Sequence, residues 1–379
     1  MKKHLIAAAV AAAVAVPAAA QVTISGVLDL SPHSDRKTTV GSDSIRTKGT
    51  GNDSARGQAT GNRINFSFSE DLGGGLKADG LYRIRYDSAA GQAANAADDM
   101  FVRVSGGFGS LRVGRYTGFI GNVEAATGAF TPTNSAGGIG VGGANFIGGS
   151  MSTNAATITD ATGAVTKAAP ATGALDDTQG LIQYVSPNFS GLTVTLDYSN
   201  RSADEASTAG MAEARQQGLG ISYTAGPLQV QAATGKKEVT GVVGTSEAAA
   251  ATEADVRWAA ANYDLKVAKV FVGTAQRKDK TTAGATSDDV RLNFVGVQVP
   301  MGAATLFASF YDGEDKNTGV TGAAATEKRT LSGNQVAVRY SLSKRTYAYL
   351  LSGRNEDKGA TAGTNFKQSD TAIGIVHSF

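Results

Sequence analysis

Apolar and polar residues alternate with a period of two along most of the chain. Over residues 62–69, Ile64, Phe66 and Phe68 fall on one face of an extended chain, and the polar residues fall on the other. The same alternation recurs over residues 192–198 and 290–294. This period predicts half-buried β-strands.

The connections between the predicted strands are alternately short and long. The short ones are residues 71–75, 106–109, 186–191, 225–227, 264, 300–302 and 343–344. The long ones, rich in Gly, Ala, Thr, Asp and Asn, are residues 31–61, 88–98, 117–178, 201–214, 237–251, 277–287, 313–332 and 356–367. Seven short turns and eight long loops predict sixteen antiparallel strands between Val22 and Phe379.

Regular alternation of loop length is typical of an outer-membrane barrel, which has short periplasmic turns and longer external loops. Each predicted strand supplies roughly 9 to 12 residues, enough to cross the bilayer at a tilt of about 45°. Closure of the sheet gives every backbone group in lipid a partner. We therefore predict an all-β fold, a 16-stranded antiparallel transmembrane β-barrel with both ends in the periplasm.

The first residues have the features of a secretory signal peptide. Residues 1–4 are positively charged, residues 5–16 contain only Ala, Val, Leu and Ile, and Ala18–Ala20 follow Pro17 as a small-residue cleavage site. The apolar run is shorter than the roughly 20 residues of a spanning helix. We predict a signal peptide over 1–20 and a barrel domain over 21–379, exported to the bacterial outer membrane.

Composition excludes several functions. The chain has no Cys, which excludes a disulfide scaffold, a thiolate metal cluster and a cysteine nucleophile. The full chain has 35 Lys and Arg residues and 33 Asp and Glu residues. Removal of Lys2 and Lys3 with the predicted leader makes the two numbers equal, so the mature chain has no formal net charge. A nucleic-acid-binding protein would carry a basic excess, so no nucleic-acid partner is expected.

Basic residues concentrate at the lumen-facing positions of four consecutive predicted strands. With Phe66, Tyr82 and Val102 pointing outward, these positions are Arg63, Lys77, Arg83, Arg85, Arg103 and Arg112. Arginine stays charged and binds carboxylates and phosphates in a fork. A basic wall beside a narrow lumen focuses positive potential, so the pattern predicts anion preference, although ion pairs with Asp79 or Asp99 would weaken it.

Six segments, in order along the chain, resemble the trimeric Gram-negative porins of the beta-proteobacterial type. They are VTISGVLD at 22–29, SEDLGGGLKA at 69–78, SGGFG at 105–109 with VGR at 113–115, YVSP at 184–187, YSLSKRT at 340–346 and HSF at 377–379. The resemblance implies a water-filled channel for passive diffusion of small hydrophilic solutes and ions. It also implies a homotrimer without a cofactor, in contact with the lipid bilayer and lipopolysaccharide.

The same resemblance implies roles for particular residues. The third loop, 117–178, would fold into the lumen and place its earliest acid, Glu124, opposite the arginines. Arg115 has outward parity, but a bulge after Gly114 would turn it toward the pore mouth. The alternating terminal residues Ile375, His377 and Phe379 resemble the signal read by the outer-membrane assembly machinery.

Two other classes of protein remain open. An outer-membrane barrel enzyme would need a nucleophile beside a base, yet His33 and His377 are the only histidines after the leader; we expect no enzyme activity. A secreted adhesin would not need alternating loop lengths and would be extracted without detergent.

The adjacent acids of 98–99 and 176–177 could hold Ca²⁺, but such pairs more often form a solvated loop edge.

Overall fold

The computed structural model describes residues 21–39, 45–50, 62–87, 92–95, 99–121, 158–159, 165–167, 177–201, 212–242, 252–280, 286–316, 328–359 and 366–379. The strands are β1 (Gln21–Leu30), β2 (Pro32–Thr39), β3 (Ile45–Thr50), β4 (Asn62–Gly73), β5 (Leu76–Asp87), β6 (Gln92–Asn95), β7 (Met100–Gly106), β8 (Gly109–Thr117), β9 (Ile158–Thr159), β10 (Val165–Lys167), β11 (Asp177–Val185), β12 (Leu192–Arg201), β13 (Ala212–Ala225), β14 (Leu228–Val242), β15 (Thr252–Asp264), β16 (Lys269–Lys280), β17 (Thr286–Met301), β18 (Ala304–Lys316), β19 (Lys328–Ser341), β20 (Thr346–Lys358) and β21 (Phe366–Ser378). A short 3-10 helix spans Phe119–Gly121. Among these residues, no helix is both long and apolar enough to cross a membrane.

Nineteen of the strands form one antiparallel sheet that closes on itself. β1 pairs with β4 through Gln21↔Ser69 on one side and with β21 through Val27↔Ser378 on the other. β2 continues β1, while β3 and β6 pair with β2 and β5 beyond the wall. The wall therefore has sixteen antiparallel strands, and the predicted barrel is confirmed.

Several strands run further than the sequence predicted. Loops were expected to begin at residues 237, 277, 313 and 356, but β14, β16, β18 and β20 end at residues 242, 280, 316 and 358. Ion pairs link neighbouring strands beside and within these extensions: Lys236 Nζ, just before the β14 extension, and Lys280 Nζ, in the β16 extension, lie 2.6 and 2.7 Å from Glu253. Polar residues on both faces end the apolar alternation there, although the strands continue.

The strands of the wall are short on one side of the barrel, the low side, and long on the other, the tall side. β7, β8 and β11 have 7 to 9 residues, whereas the strands from β13 to β21 have 12 to 16. Outward residues along both sides form an exposed apolar band that includes Ile24, Val102, Val295 and Ile373. An outer-membrane barrel presents such a band to lipid.

On the tall side, aromatic rings lie flat against the inner wall because glycines on the neighbouring strand leave room for them. Phe294 covers Gly273, and Tyr311 covers Gly333; a Cβ at either glycine would collide with the ring. This arrangement of rings over cross-strand glycines is a known way to stabilise curved sheets. It keeps large side chains out of the centre of the barrel.

Candidate functional site: the basic inner wall

The strand registers bring the predicted basic residues onto one face of four adjacent strands. Arg63 on β4 is directly opposite Arg85 on β5. In the same way, Arg103 on β7 lies opposite Arg112 on β8. This face continues around the sheet to Trp258, whose Nε1 donates to the carbonyl of Ile120 at 3.0 Å in the segment that follows β8. That segment runs from β8 to β15 through the interior of the closed sheet. The face that carries Trp258 and the basic residues is therefore the inner face of the barrel.

Arg83 is held by two neighbours on this wall. Its Nη1 donates to Asp99 Oδ2 at 2.6 Å, and its Nε donates to Asn65 Oδ1 at 3.1 Å. Both side chains of the Arg83–Asp99 pair are about one-fifth exposed. The pair therefore fixes the guanidinium against β4 while leaving it in contact with the lumen.

Arg103 forms a two-pronged pair with Asp79 on β5. The guanidinium Nε donates to Asp79 Oδ1 at 3.0 Å, and Nη2 donates to Oδ2 at 3.1 Å. The Arg103 side chain is 43% exposed and the Asp79 side chain only 13%. The carboxylate is thus covered by the arginine, whose other edge faces the interior.

Arg112 is positioned by aromatic rings instead of a carboxylate. Its guanidinium lies 3.6 Å from the ring centre of Tyr116 and 4.9 Å from that of Phe101. Nη2 also donates to Gln183 Oε1 at 2.8 Å. Stacking on a ring attracts a cation without cancelling its charge, so Arg112 contributes a full positive charge to the wall.

The other predicted basic residues have the same inward parity. Arg63 and Arg85 are half-buried, and Lys77 near the periplasmic turn is exposed. The three described carboxylates on this part of the inner face are Asp71, Asp79 and Asp99. Among the residues of this face whose side chains the structure describes, six basic ones therefore accompany three acidic ones.

The bulge expected beside Arg115 is absent from β8. The sequence suggested a bulge after Gly114, but β8 runs in unbroken register there, and Arg115 is opposite Met100. The irregularity lies instead in β11, between Thr178 and Leu181, where Gly180 has φ of +64°. Arg115 keeps the outward parity of Met100 and is half-buried.

The beginning of the third loop lies inside the barrel. The backbone N–H of Phe119 donates to Asp197 Oδ2 on β12, and the Phe119 ring stacks on Trp258 with centres 5.6 Å apart. Ile120 lies over Gly218 and Gly235. The role of Asp197 was not predicted from the sequence, although the paired glycines of β13 and β14 were a signal that something packs closely there.

The remaining predicted site residues are the acidic residues of the loops and the residues at the end of the last strand. Glu124, Asp98 and Asp176 lie outside the described residues. In the described part of the chain, no group of three or more His, Cys, Asp or Glu could hold a metal ion. Ile375, His377 and Phe379 all point outward on β21 or just after it, and His377 Nδ1 lies 2.9 Å from Thr346 Oγ1.

A closed barrel of sixteen strands with an outer apolar band and a charged inner wall is an outer-membrane channel. The sequence model of the Gram-negative porin family matches residues 7–360, and the chain belongs to this family. Among proteins with curated annotation, none matches the sequence significantly.

Solved structures share the fold. An anion-selective porin from Comamonas acidovorans is 22% identical and superposes with a TM-score of 0.69, covering 95% of this chain and all of that one. A loop-deletion mutant of OmpT from Vibrio cholerae is 15% identical, with a TM-score of 0.63 over 95% of this chain and all of the other. OmpF from Salmonella typhi, in complex with daunomycin, is 16% identical, with a TM-score of 0.57 over 95% and 98% of the two chains.

Proposed function

We propose that this porin is a passive diffusion channel for small hydrophilic solutes and ions that prefers anions. The observation that carries the proposal is the basic inner wall of β4, β5, β7 and β8, where six cationic side chains share the face with three described carboxylates. The porin of similar fold from Comamonas acidovorans is described as anion-selective. That description is consistent with the charge of this wall.

The facing wall strengthens the effect of these charges. The inner side of β15 to β18 carries the buried apolar side chains of Trp258, Leu292, Phe294 and Tyr311. Low-dielectric surroundings screen a charge less than bulk water does, and a cleft lined with one sign of charge raises the local concentration of the opposite ion. Small anions would be enriched along the arginine side of the lumen.

The test is the reversal potential of the purified protein in a planar bilayer with a salt gradient. Replacing Arg83 and Arg85 together by Gln should shift the potential toward cation preference. Lys280→Gln is the control, because Lys280 lies on the outer face and is paired with Glu253 and Asp255, where salt screens exposed charge within about 8 to 10 Å. Equal shifts of the reversal potential in both variants would refute the proposal that the inner wall focuses positive potential in the lumen.

We also infer a homotrimer that associates through the part of the wall formed by β1, β4, β5, β7 and β8. There the outward side chains of Ile24, Phe66, Tyr82, Val102 and Val113 are apolar and 37% exposed or more, whereas the tall side carries charged residues above its apolar band. Large exposed apolar surfaces mark interaction sites. The mass of the detergent-purified complex, measured by light scattering, tests this inference; a monomeric mass would overturn it.

The remaining roles follow from the outer position of the last strand and from the leader. We infer that Ile375, His377 and Phe379 form the signal that the assembly machinery binds, and that residues 1–20 direct export. We infer that Glu124 lies at the constriction, whereas Arg115, which keeps its outward parity on β8, is no longer proposed for the pore mouth. Phe379→Ala should lower the amount of assembled barrel in the outer membrane, and unchanged assembly would contradict the signal role.

A further inference from the structure

Two more cations lie on the inner face of the barrel, on the tall side and away from the basic inner wall of β4, β5, β7 and β8. Trp258 on the inner face of β15 is directly opposite Ala275, which shares its side of β16 with Lys269. The registers from β16 to β19 are unbroken at this level and give Arg339 the same inward parity. Both cations lie close to the short periplasmic turns of their strands.

Arg339 lies against two aromatic rings. The carbon of its guanidinium is 5.7 Å from the ring centre of Phe307 and 5.6 Å from that of Tyr347. Phe307 is buried, whereas Tyr347 is only half-buried and keeps part of its surface toward the lumen. Rings attract a cation without cancelling its charge, and a guanidinium has five N–H donors in a planar fork. The rings therefore position Arg339 to bind a carboxylate.

Lys269 is a second cation at this level. Its Nζ lies 5.4 Å from the ring centre of Phe271. Asp264, directly opposite on β15, accepts from the backbone N–H of Lys266 at 2.7 Å. Among the described residues, Lys269 forms no ion pair. Because no described acid neutralises it, Lys269 adds positive potential to the lumen at this point.

Polar side chains lie between the two cations. Gln298 on β17 is directly opposite Lys269, and Thr305 on β18 is directly opposite Arg339. All four side chains are half-buried and therefore reach the lumen. At the usual spacing of strands, the backbones of β16 and β19 are about 14 Å apart. The gap between the cations is wide enough for one small solute.

This combination of groups matches a flat anion. The fork of Arg339 favours a carboxylate over a spherical ion such as chloride, because two parallel hydrogen bonds can form. The half-exposed ring of Tyr347, beside that fork, favours a solute with an aromatic ring. Gln298 and Thr305 can hydrogen-bond to substituents of such a ring.

We propose that Lys269, Gln298, Thr305, Arg339 and Tyr347 form a binding site for aromatic carboxylates inside the channel. The carboxylate binds to Arg339, and the ring of the solute packs against Tyr347 and points along Gln298 toward Lys269. The proposal rests on the proposed function, since the solute must enter the lumen to reach the site. It adds a preference among anions that the basic inner wall does not provide.

The first experiment compares two acids as blockers of the chloride current. Wild-type protein in planar bilayers is titrated on both sides with benzoate or with cyclohexanecarboxylate, which carries the same charge on a ring that is not flat. Benzoate should reach half-block at about fivefold lower concentration, because only a flat ring stacks on Tyr347. Equal half-blocking concentrations would overturn the proposal.

The second experiment repeats the titration with variants of the site. Arg339→Gln should raise the half-blocking concentration of benzoate about tenfold, the usual effect of losing a hydrogen bond to a charged group. Tyr347→Leu should make the two acids equal. Lys344→Gln, in the exposed last periplasmic turn, and Tyr340→Leu, at an outward ring that is 52% exposed, are the controls and should change neither value. Unchanged block in Arg339→Gln, or equal losses in the controls, would overturn the site.

Two comparisons keep the outcomes distinct. Arg339→Lys keeps the charge without the fork and should weaken benzoate block nearly as much as Arg339→Gln. If Arg339→Gln forms no channels, Arg339→Lys and Tyr347→Leu decide, and wild-type block in both would refute the site. Cation preference of the wild-type channel in KCl would contradict the proposed function, whereas chloride preference with block indifferent to these variants would contradict this site alone.

Discussion

Phe379 and Gly26 join the last and first strands of the barrel by two backbone hydrogen bonds. Gly26 N donates to the Phe379 carbonyl at 3.0 Å, and Phe379 N donates to the Gly26 carbonyl at 3.1 Å. The Phe379 ring lies directly over Gly26 on the outer face. A sheet that ends in lipid cannot leave an edge unpaired, so this pair completes closure at the periplasmic end.

A side chain at Gly26 should weaken this seam. A Cβ there would collide with the Phe379 ring, so Gly26→Val should destabilise the barrel by about 1 to 3 kcal/mol, the usual cost of overpacking. Urea unfolding in liposomes measures the change. Gly107→Ala is the control, since a Cβ at Gly107 meets nothing within 4 Å. Equal stability of the two variants would show that the ring moves aside freely.

The seam has a second, buried element. Tyr349 Oη donates to Asp29 Oδ1 at 2.8 Å, and Asp29 is only 1% exposed. Tyr349→Phe removes one donor from a buried carboxylate and should lower the free energy of unfolding by about 1 to 3 kcal/mol. Tyr340→Phe, at a residue 52% exposed, should change it by less than about 0.5 kcal/mol. The prediction is wrong if both substitutions have the same small effect.

Asp197 should restrain the start of the third loop. Its carboxylate accepts from the Phe119 N–H and from Gln183 Nε2 at 2.8 Å. Asp197→Ala removes both acceptors and should increase flicker in single-channel recordings, because the loop segment loses its attachment to β12. Asp197→Asn keeps one oxygen and should flicker less than Asp197→Ala. Recordings with identical open-state noise in wild type and Asp197→Ala would contradict a restraining role.

The period of two was enough to predict the barrel and the inward parity of Arg63, Arg83 and Arg112, because a strand that separates lipid from water must alternate. Strand ends were less predictable. Above the apolar band both faces are polar, so the alternation that marks a strand disappears while Lys236, Glu253 and Lys280 still link the strands.

The long-range contacts at the site could not be predicted from the sequence either. Asp197 lies 78 positions from Phe119, and nothing local in either segment identifies the partner. The stacking of Arg112 on Tyr116 was missed for a related reason. Arg112 was assigned to the wall by parity, but Tyr116 is held by its hydroxyl, which donates to the carbonyl of Arg112 or Leu181, and the contact with Leu181 depends on strand pairing.

The most direct test of the central claim is the reversal potential of the wild-type protein in a planar bilayer between two concentrations of KCl. A channel whose inner wall carries a net excess of arginines should give a potential of the sign that marks chloride as the more permeant ion. Its size should fall as the salt is raised on both sides at a fixed ratio, because salt screens the wall. A potential of the opposite sign would contradict the arginine wall, and the absence of channels would contradict the pore itself.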